Sequence, residues 1–242
     1  MILCSPGEGM ADEGCEAIKA NNADVWLVVP LYNEGQVIGQ VVSEAIETFS
    51  NIVCVDDGST DDSAQLAREA GAHVVRHPIN LGQGAALQTG FDFVRMSPTA
   101  KYVVTFDSDG QHKVEDAFAM VERLRTEPLD VVLGSRFLDG RTRPGLLKRI
   151  VLKAAVGFTN VTTGVKLTDA HNGLRAISVE ALGKFRIRQN RMAHASEFVG
   201  FLRKAHLRYA EEPVHIIYTD YSKAKGQSLW NSVNIVIDLW MR

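Results

Sequence analysis

The sequence predicts an α/β fold, a mainly parallel sheet flanked by helices. Two observations carry that prediction. Between Val25 and Ser135, short apolar runs alternate with stretches whose apolar residues recur every three or four positions. A polar cluster follows each of five apolar runs, as expected where strands end on one rim of an open parallel sheet.

The elements follow in order. Val25-Trp-Leu-Val-Val29 is an unbroken apolar run ending at Pro30, the pattern of a strand buried on both faces. Val37, Ile38, Val41, Val42, Ala45, Ile46 and Phe49 then mark one face of a helix. Ile52-Val-Cys-Val55 is the second strand, and Thr60 or Asp61 is placed to cap a helix that Gly71 ends. His73-Val-Val75 is a short third strand. A helix from Gly84 to Val94 packs through Ala85, Leu87, Phe91 and Val94. Tyr102 to Phe106 and Val131-Val-Leu133 are further strands, joined by a helix carrying Phe118, Val121 and Leu124. After Arg141 the pattern changes. A basic stretch from Arg143 to Thr168 carries a half-exposed helix with Leu147, Ile150, Val151, Ala154, Ala155 and Phe158. Gly173 to Ile177 reads as a strand, Ser196 to Ala205 as a helix and His215-Ile-Ile-Tyr218 as the last strand.

Composition narrows the function. With 242 residues, 45% apolar and 23% charged, the chain suits one globular domain. A formal net charge of -3 argues against a nucleic-acid partner. Cys4, Cys15 and Cys54 lack metal-ligand spacing. Residues 1–23 lack hydrophobic periodicity and read as a loose extension. Residues 24–230 then form the main domain, in halves 24–136 and 137–230, and residues 231–242 form an amphipathic helix. The stripe from Leu229 to Trp240 suits a membrane surface, core packing or pairing with a second copy. No apolar run reaches the roughly 20 residues that span a bilayer, so the expected location is cytoplasmic, or peripheral on the cytoplasmic face of a membrane.

Asp107-Ser-Asp109-Gly-Gln111 follows a predicted strand. Two carboxylates two residues apart there can reach one Mg²⁺ or Mn²⁺, which keeps sites open for substrate phosphates. A plain turn is the other reading. The clusters Tyr32-Asn-Glu34, Asp56-Asp-Gly58, Asn80-Leu-Gly82 and Gly134-Ser-Arg136 on the same rim favour the metal.

Val28-Val-Pro-Leu-Tyr-Asn-Glu34, Val55-Asp-Asp-Gly-Ser-Thr-Asp61, Asn80-Leu-Gly-Gln-Gly84 and Asp107-Ser-Asp109, in this order, resemble family 2 glycosyltransferases of the Rossmann-like GT-A fold. Gln111, Gly134-Ser-Arg136, Asp169-x-x-Asn-Gly-x-Arg175 and Lys225-Gly-Gln-Ser228 make the dolichyl- or polyprenyl-phosphate sugar synthases the nearest branch. The resemblance implies that Pro30, Tyr32, Glu34, Asp56, Asp57, Gly82 and Asp107 hold a UDP- or GDP-sugar. It implies a metal at Asp107, Asp109 and Gln111, and phosphate contacts at Arg136, Arg175, Lys225 and Ser228. The reaction implied is inverting transfer to polyprenyl phosphate. Asp109, Arg136 and Arg175 would take part, and Asp169 or Glu197 would be the base if the acceptor were a sugar hydroxyl of a polysaccharide or glycolipid. His171 and His194 read as structural or exposed.

Departures are visible as well. Gln83 stands where many members carry Lys, and Asn172 where lipid-phosphate enzymes often carry Ser. Gln189 is followed by Asn-Arg-Met, not the Gln-x-x-Arg-Trp of processive synthases. A nucleotidyltransferase would open on a basic Gly-rich loop, and a dinucleotide oxidoreductase needs Gly-x-Gly-x-x-Gly. Neither is present. A non-catalytic binding module would not need both Asp107 and Asp109.

Overall fold

The computed structural model describes residues 18–139, 156–157, 159–170, 172–191 and 193–217. Seven strands form one sheet: β1 (Val25–Leu31), β2 (Asn51–Asp56), β3 (His73–Arg76), β4 (Tyr102–Thr105), β5 (Val131–Ser135), β6 (Arg175–Ser178) and β7 (Tyr209–Pro213). Their spatial order is β3-β2-β1-β4-β6-β5-β7. Every pairing is parallel except those of β6, which runs antiparallel between β4 and β5. The helices are α1 (Ile38–Ile46), α2 (Ser63–Glu69), α3 (Gln83–Arg95), α4 (Val114–Thr126), α5 (Val179–Leu182) and α6 (His194–Lys204).

The unbroken apolar run of β1 is explained by its central position, since all seven residues are buried. Leu27, Val29 and Leu31 pack with Ile38, Val42 and Phe49 of the α1 side and with Met120 and Val121 of α4. Trp26 and Val28 face the other way, into a cluster with Ala86, Phe91 and Val94 of α3 and Phe198 and Val199 of α6. Gly90 lets α3 sit close on β1, because a Cβ there would come within 2.3 Å of Val28 Cγ1.

Three expectations change. Among the described residues the last strand is 209–213, and residues 215–217 of the expected one lie outside any strand. Tyr-Ala-Glu-Glu-Pro has no apolar alternation because β7 is an edge strand, half-buried throughout, whose glutamates tie down neighbouring segments. Val214 and Ile216 are buried without belonging to a strand, and Ile217 N–H donates to Gln111 C=O at 3.0 Å. Secondly, α2 starts at Ser63 and its cap position falls on Asp62, not on Thr60 or Asp61, although the Asp61 carboxylate still serves the first helical residue. It accepts from Gly35 N–H at 3.1 Å and from the Ser63 hydroxyl and N–H at 2.5 and 3.1 Å. Thirdly, residues 18–21 are helical and Asn22 is buried against Thr48, so this part of the expected loose extension packs on the domain. Most of the expected helix in the basic stretch, the loop holding Lys225 and Ser228, and the amphipathic segment lie outside the described residues.

Candidate active site

The carboxyl ends of β1, β2 and β4 surround a cavity of about 710 Å³. Pro30, Tyr32 and Glu34 line it from the end of β1, Asp57 from β2, Asn80, Gly82 and Gln83 from the start of α3, and Asp107 and Asp109 from β4. Gly173, Arg175, Arg191 and His194 close it from the second half of the chain.

Asp107 is held from two sides. Gln83 Nε2 donates to Oδ1 at 3.2 Å and His112 Nε2 approaches Oδ2 at 2.9 Å. Gly173 leaves room for this carboxylate, since an added Cβ would fall 2.2 Å from Oδ2. Burial alone would raise the Asp107 pKa. The His112 hydrogen bond and the charges of His112, Arg175 and His194 outweigh it and hold the carboxyl below its usual range. Asp109 behaves in the opposite way. Burial, then the neighbouring Asp107 charge and, more weakly, Glu34 push it up to about 6, against the His112 charge and the hydrogen bond from Gln111 N–H at 3.1 Å.

This donor set fits a hard divalent cation. Among the described residues no three His, Cys, Asp or Glu side chains converge as a closed cage. Two carboxylates facing a polar cavity match an ion such as Mg²⁺ that takes few protein ligands and completes its shell with water and phosphate. Gln111 is buried and does not line the cavity. Its backbone links Asp109 to Ile217.

The Asp56-Asp57 pair divides. Asp56 is fully buried, accepts from Ser59 N–H at 3.0 Å, lies 3.0 Å from Arg76 Nε and does not line the cavity. Asp57 lines it, yet both its oxygens already serve the chain. Oδ1 meets His77 Nδ1 at 2.7 Å and Leu81 N–H at 2.9 Å, and Oδ2 accepts Gly82 N–H at 2.7 Å. Gly82 itself needs glycine, with φ at +104°.

The basic residues also separate. Arg175 is buried, stacks 4.4 Å over the Phe198 ring, donates to Asn172 C=O and lines the cavity. Burial lowers its pKa to about 10, partly offset by Asp107 and Asp169, so it stays cationic at neutral pH. Arg136 forms a two-pronged pair with Asp169 at 2.6 and 2.8 Å, and neither lines the cavity. Glu197 is also away from it, accepting from the N–H groups of Arg188 and Gln189 at 3.0 and 2.9 Å. Motif and spacing assign no role in the site to His112, Arg191 or His194. His112 follows Gln111 directly, so the motif itself carried that signal. His194 was expected to be structural or exposed; it is buried and faces the cavity. Nothing local marks Arg191 or His194, which arrive from α6 and the segment before it.

The chain is 34% identical over 240 residues, 97% of its own length and 98% of the relative's, to an uncharacterised protein of Methanocaldococcus jannaschii. It is 30% identical over 90% of its length, and 95% of the relative's, to a UDP-N-acetylglucosamine–dolichyl-phosphate N-acetylglucosaminyltransferase of Methanococcus voltae. A polyprenol monophosphomannose synthase of Mycolicibacterium smegmatis is 31% identical over 65% of this chain and 63% of that one. Among solved structures, glucosyl-3-phosphoglycerate synthase from Mycobacterium tuberculosis, in complex with Mg²⁺ and uridine diphosphate, shares the GT-A fold. The TM-score is 0.63 at 22% identity, covering 90% of this chain and 78% of that one. A family model described as Glycosyl transferase family 2 matches residues 26–186. The chain therefore belongs to glycosyl transferase family 2 and is a glycosyltransferase.

Proposed function

We propose that the enzyme moves a sugar from a nucleotide diphosphate sugar to a polyprenyl phosphate, with inversion and with a divalent metal. The observation that carries this reading is one cavity holding two acidic rim residues, Asp107 and Asp109, together with a buried cation, Arg175. The names of the Methanococcus voltae and Mycolicibacterium smegmatis relatives, both polyprenyl-type phosphate glycosyltransferases, support the lipid acceptor.

Asp107 and Asp109 would hold the metal, which neutralises charge on the departing diphosphate. Tyr32 offers an aromatic face for the base, and Pro30 and Glu34 complete that wall of the cavity. Gln83 and His112 keep Asp107 in one orientation. Arg175 holds a phosphate oxygen without being deprotonated. The acceptor oxygen forms its bond to the anomeric carbon on the face opposite the diphosphate. The sugar–phosphate bond breaks there and the nucleoside diphosphate leaves with the electron pair.

A phosphate acceptor is already anionic and needs no strong base. This agrees with the engagement of the two carboxylates first considered as bases: Asp169 pairs with Arg136, and Glu197 binds two backbone N–H groups. Because such an acceptor lives in a membrane, the enzyme would work at its surface. Among the described residues no helix is long and apolar enough to cross one.

The test is transfer of radiolabelled sugar from UDP- and GDP-sugars into a lipid-extractable fraction, with Mn²⁺ or EDTA. Lipid-bound, metal-dependent label is expected. Label found only on a glycan hydroxyl would replace the lipid acceptor with the alternative one, and label transferred equally in EDTA would remove the metal.

A further inference from the structure

Residues 185–191 cross from the second half of the chain to the start of α3, and nearly every one is tied down. Phe185 stacks on Phe201 with ring centroids 5.2 Å apart. Ile187 N–H donates to Gln88 Oε1 at 2.7 Å, and Arg188 and Gln189 donate to Glu197. Asn190 C=O accepts from Gly84 and Ala85 N–H at 2.8 and 3.3 Å, and Arg191 C=O accepts from His194 N–H at 3.0 Å. Gly84 is glycine because a Cβ would sit 2.0 Å from Gln189 O. The strap fixes where Arg191 stands. Its stem crosses Gly82, where an added Cβ would lie 3.1 Å from Arg191 Cγ, and its side chain lines the cavity.

The loop beneath has few donors left for an anion. Leu81 and Gly82 N–H go to Asp57, Gly84 and Ala85 N–H go to Asn190, and the Gln83 side-chain amide goes to Asp107. A helix start of this kind elsewhere cradles phosphate with its own N–H groups. Here the Gly84 and Ala85 N–H groups of that helix start are consumed internally, and the cavity wall carries Glu34, Asp57, Asp107 and Asp109. A diphosphate entering it needs side-chain cations. Arg175 is one. Arg191 is exposed and, among the described residues, enters no salt bridge.

We propose that Arg191 is a phosphate-binding residue that closes over Gly82 onto the diphosphate of the donor. The inference rests on the nucleotide-sugar reading above. It assigns the strap, fixed by Glu197 and Asn190, the task of presenting a cation that the Gly-rich loop lacks.

Calorimetric titration of UDP and GDP, and of uridine and guanosine, tests it on wild type, Arg191→Gln and Arg191→Lys, with Mg²⁺ and with EDTA. Arg191 is exposed, so neither variant disturbs the core. Arg191→Gln should weaken diphosphate binding by roughly tenfold to a hundredfold, as expected for loss of a charged hydrogen bond. Nucleoside binding should stay unchanged, and Arg191→Lys should recover part of the loss. Diphosphate affinity equal to wild type overturns the assignment. So does a raised KM for polyprenyl phosphate alone, which would give the arginine to the acceptor. A wild-type protein that binds neither diphosphate in either condition overturns the nucleotide-sugar reading itself, and the Arg191 assignment with it.

Discussion

The two halves of the sheet treat their carboxylates differently. In the half built on β1, β2 and β4, Asp107 and Asp109 face one cavity, and Asp109 accepts one hydrogen bond among the described residues. In the half built on β5, β6 and β7, Asp169 is gripped by Arg136, Glu197 by two backbone N–H groups and Asp130 by Arg208. In the first half Asp109 keeps its negative charge largely unrelieved where a cation can enter, although Asp56, Asp57 and Asp107 there are already engaged. The other uses its acids to hold loops and an edge strand. Proximity to the rim therefore does not by itself mark a carboxylate as catalytic; an unmet need for positive charge is the better mark.

The largest effect should come from Asp109→Asn, which tests that contrast most directly. Removing the carboxylate should lower transfer by about 10²–10³-fold, since a metal contributes several kcal/mol at the transition state. The same change should raise the melting temperature of the metal-free protein at pH 7.5. Asp109 titrates near 6 in the folded chain, above its ordinary value of 3.8, so its ionisation opposes folding. That cost is absent below about pH 4, grows between 4 and 6 and is complete above 6. Activity assays and melts across this range would show both effects. A variant that loses activity but melts lower than wild type at pH 7.5 would remove the charge-strain account.

Next in size is Gly173→Ala, which carries a disturbance from the second half into the first. The new methyl would meet the Asp107 carboxylate, so Asp107 must move. If Asp107 holds the metal as proposed, a loss in kcat of about 10–100-fold is expected, the range for changes that disturb the orientation of a ligand. Melting should change little, because the collision is with a side chain at a cavity wall. Unchanged kcat with an intact metal response would show that the orientation of Asp107 is not critical.

The first half was also the more legible in sequence, for a physical reason. Its strands are buried on both faces and its helices follow in order, so the periodic pattern and the sheet agree. The rim motifs sit directly after their strands, which is why the sequence pattern alone brings Glu34, Asp57, Asp107 and Asp109 together. The second half breaks that link. β6 is inserted antiparallel between β4 and β5, and β7 is an edge whose residues alternate neither in polarity nor in burial. Apolar Val214 and Ile216 fill the core beside it without strand pairing, so the expected strand was placed a few residues too late. Arg191 owes its position to contacts of the strap with the start of α3, which no local spacing reveals.

Glu197→Ala should have a smaller effect and separates two roles. As a general base, Glu197 would lower kcat by about 10²–10⁴-fold when lost. As the acceptor for Arg188 and Gln189 N–H, it acts through the strap and leaves the chemistry intact. The expected result is a donor KM raised several-fold, kcat within about twofold, and stability reduced by about 1 kcal/mol, since one backbone donor is exposed to water and the other only partly buried. Steady-state kinetics with varied donor, alongside denaturant melts, distinguishes these outcomes.

The smallest effect lies at the edge strand. Asp130 accepts from Arg208 N–H at 2.8 Å and from its guanidinium at 3.0 and 3.2 Å, pinning the start of β5 to β7. The Arg208 hydrogen bond holds the Asp130 carboxyl below its ordinary value, though the arginine is largely exposed and solvent screens the pair. A lowered folded-state pKa gives stability that is present above the ordinary aspartate value, near 4, and is lost as pH falls through the lowered one. Asp130→Asn should therefore cut the melting temperature by only about 1–3 °C at pH 7, with the deficit shrinking between pH 5 and 3. The sign is opposite to that of Asp109→Asn, which gains stability at neutral pH and loses that gain on acidification. Melts of the two variants in one pH series compare the halves within a single measurement. If both aspartates shift the melting temperature in the same direction, the division between strained and satisfied carboxylates does not hold.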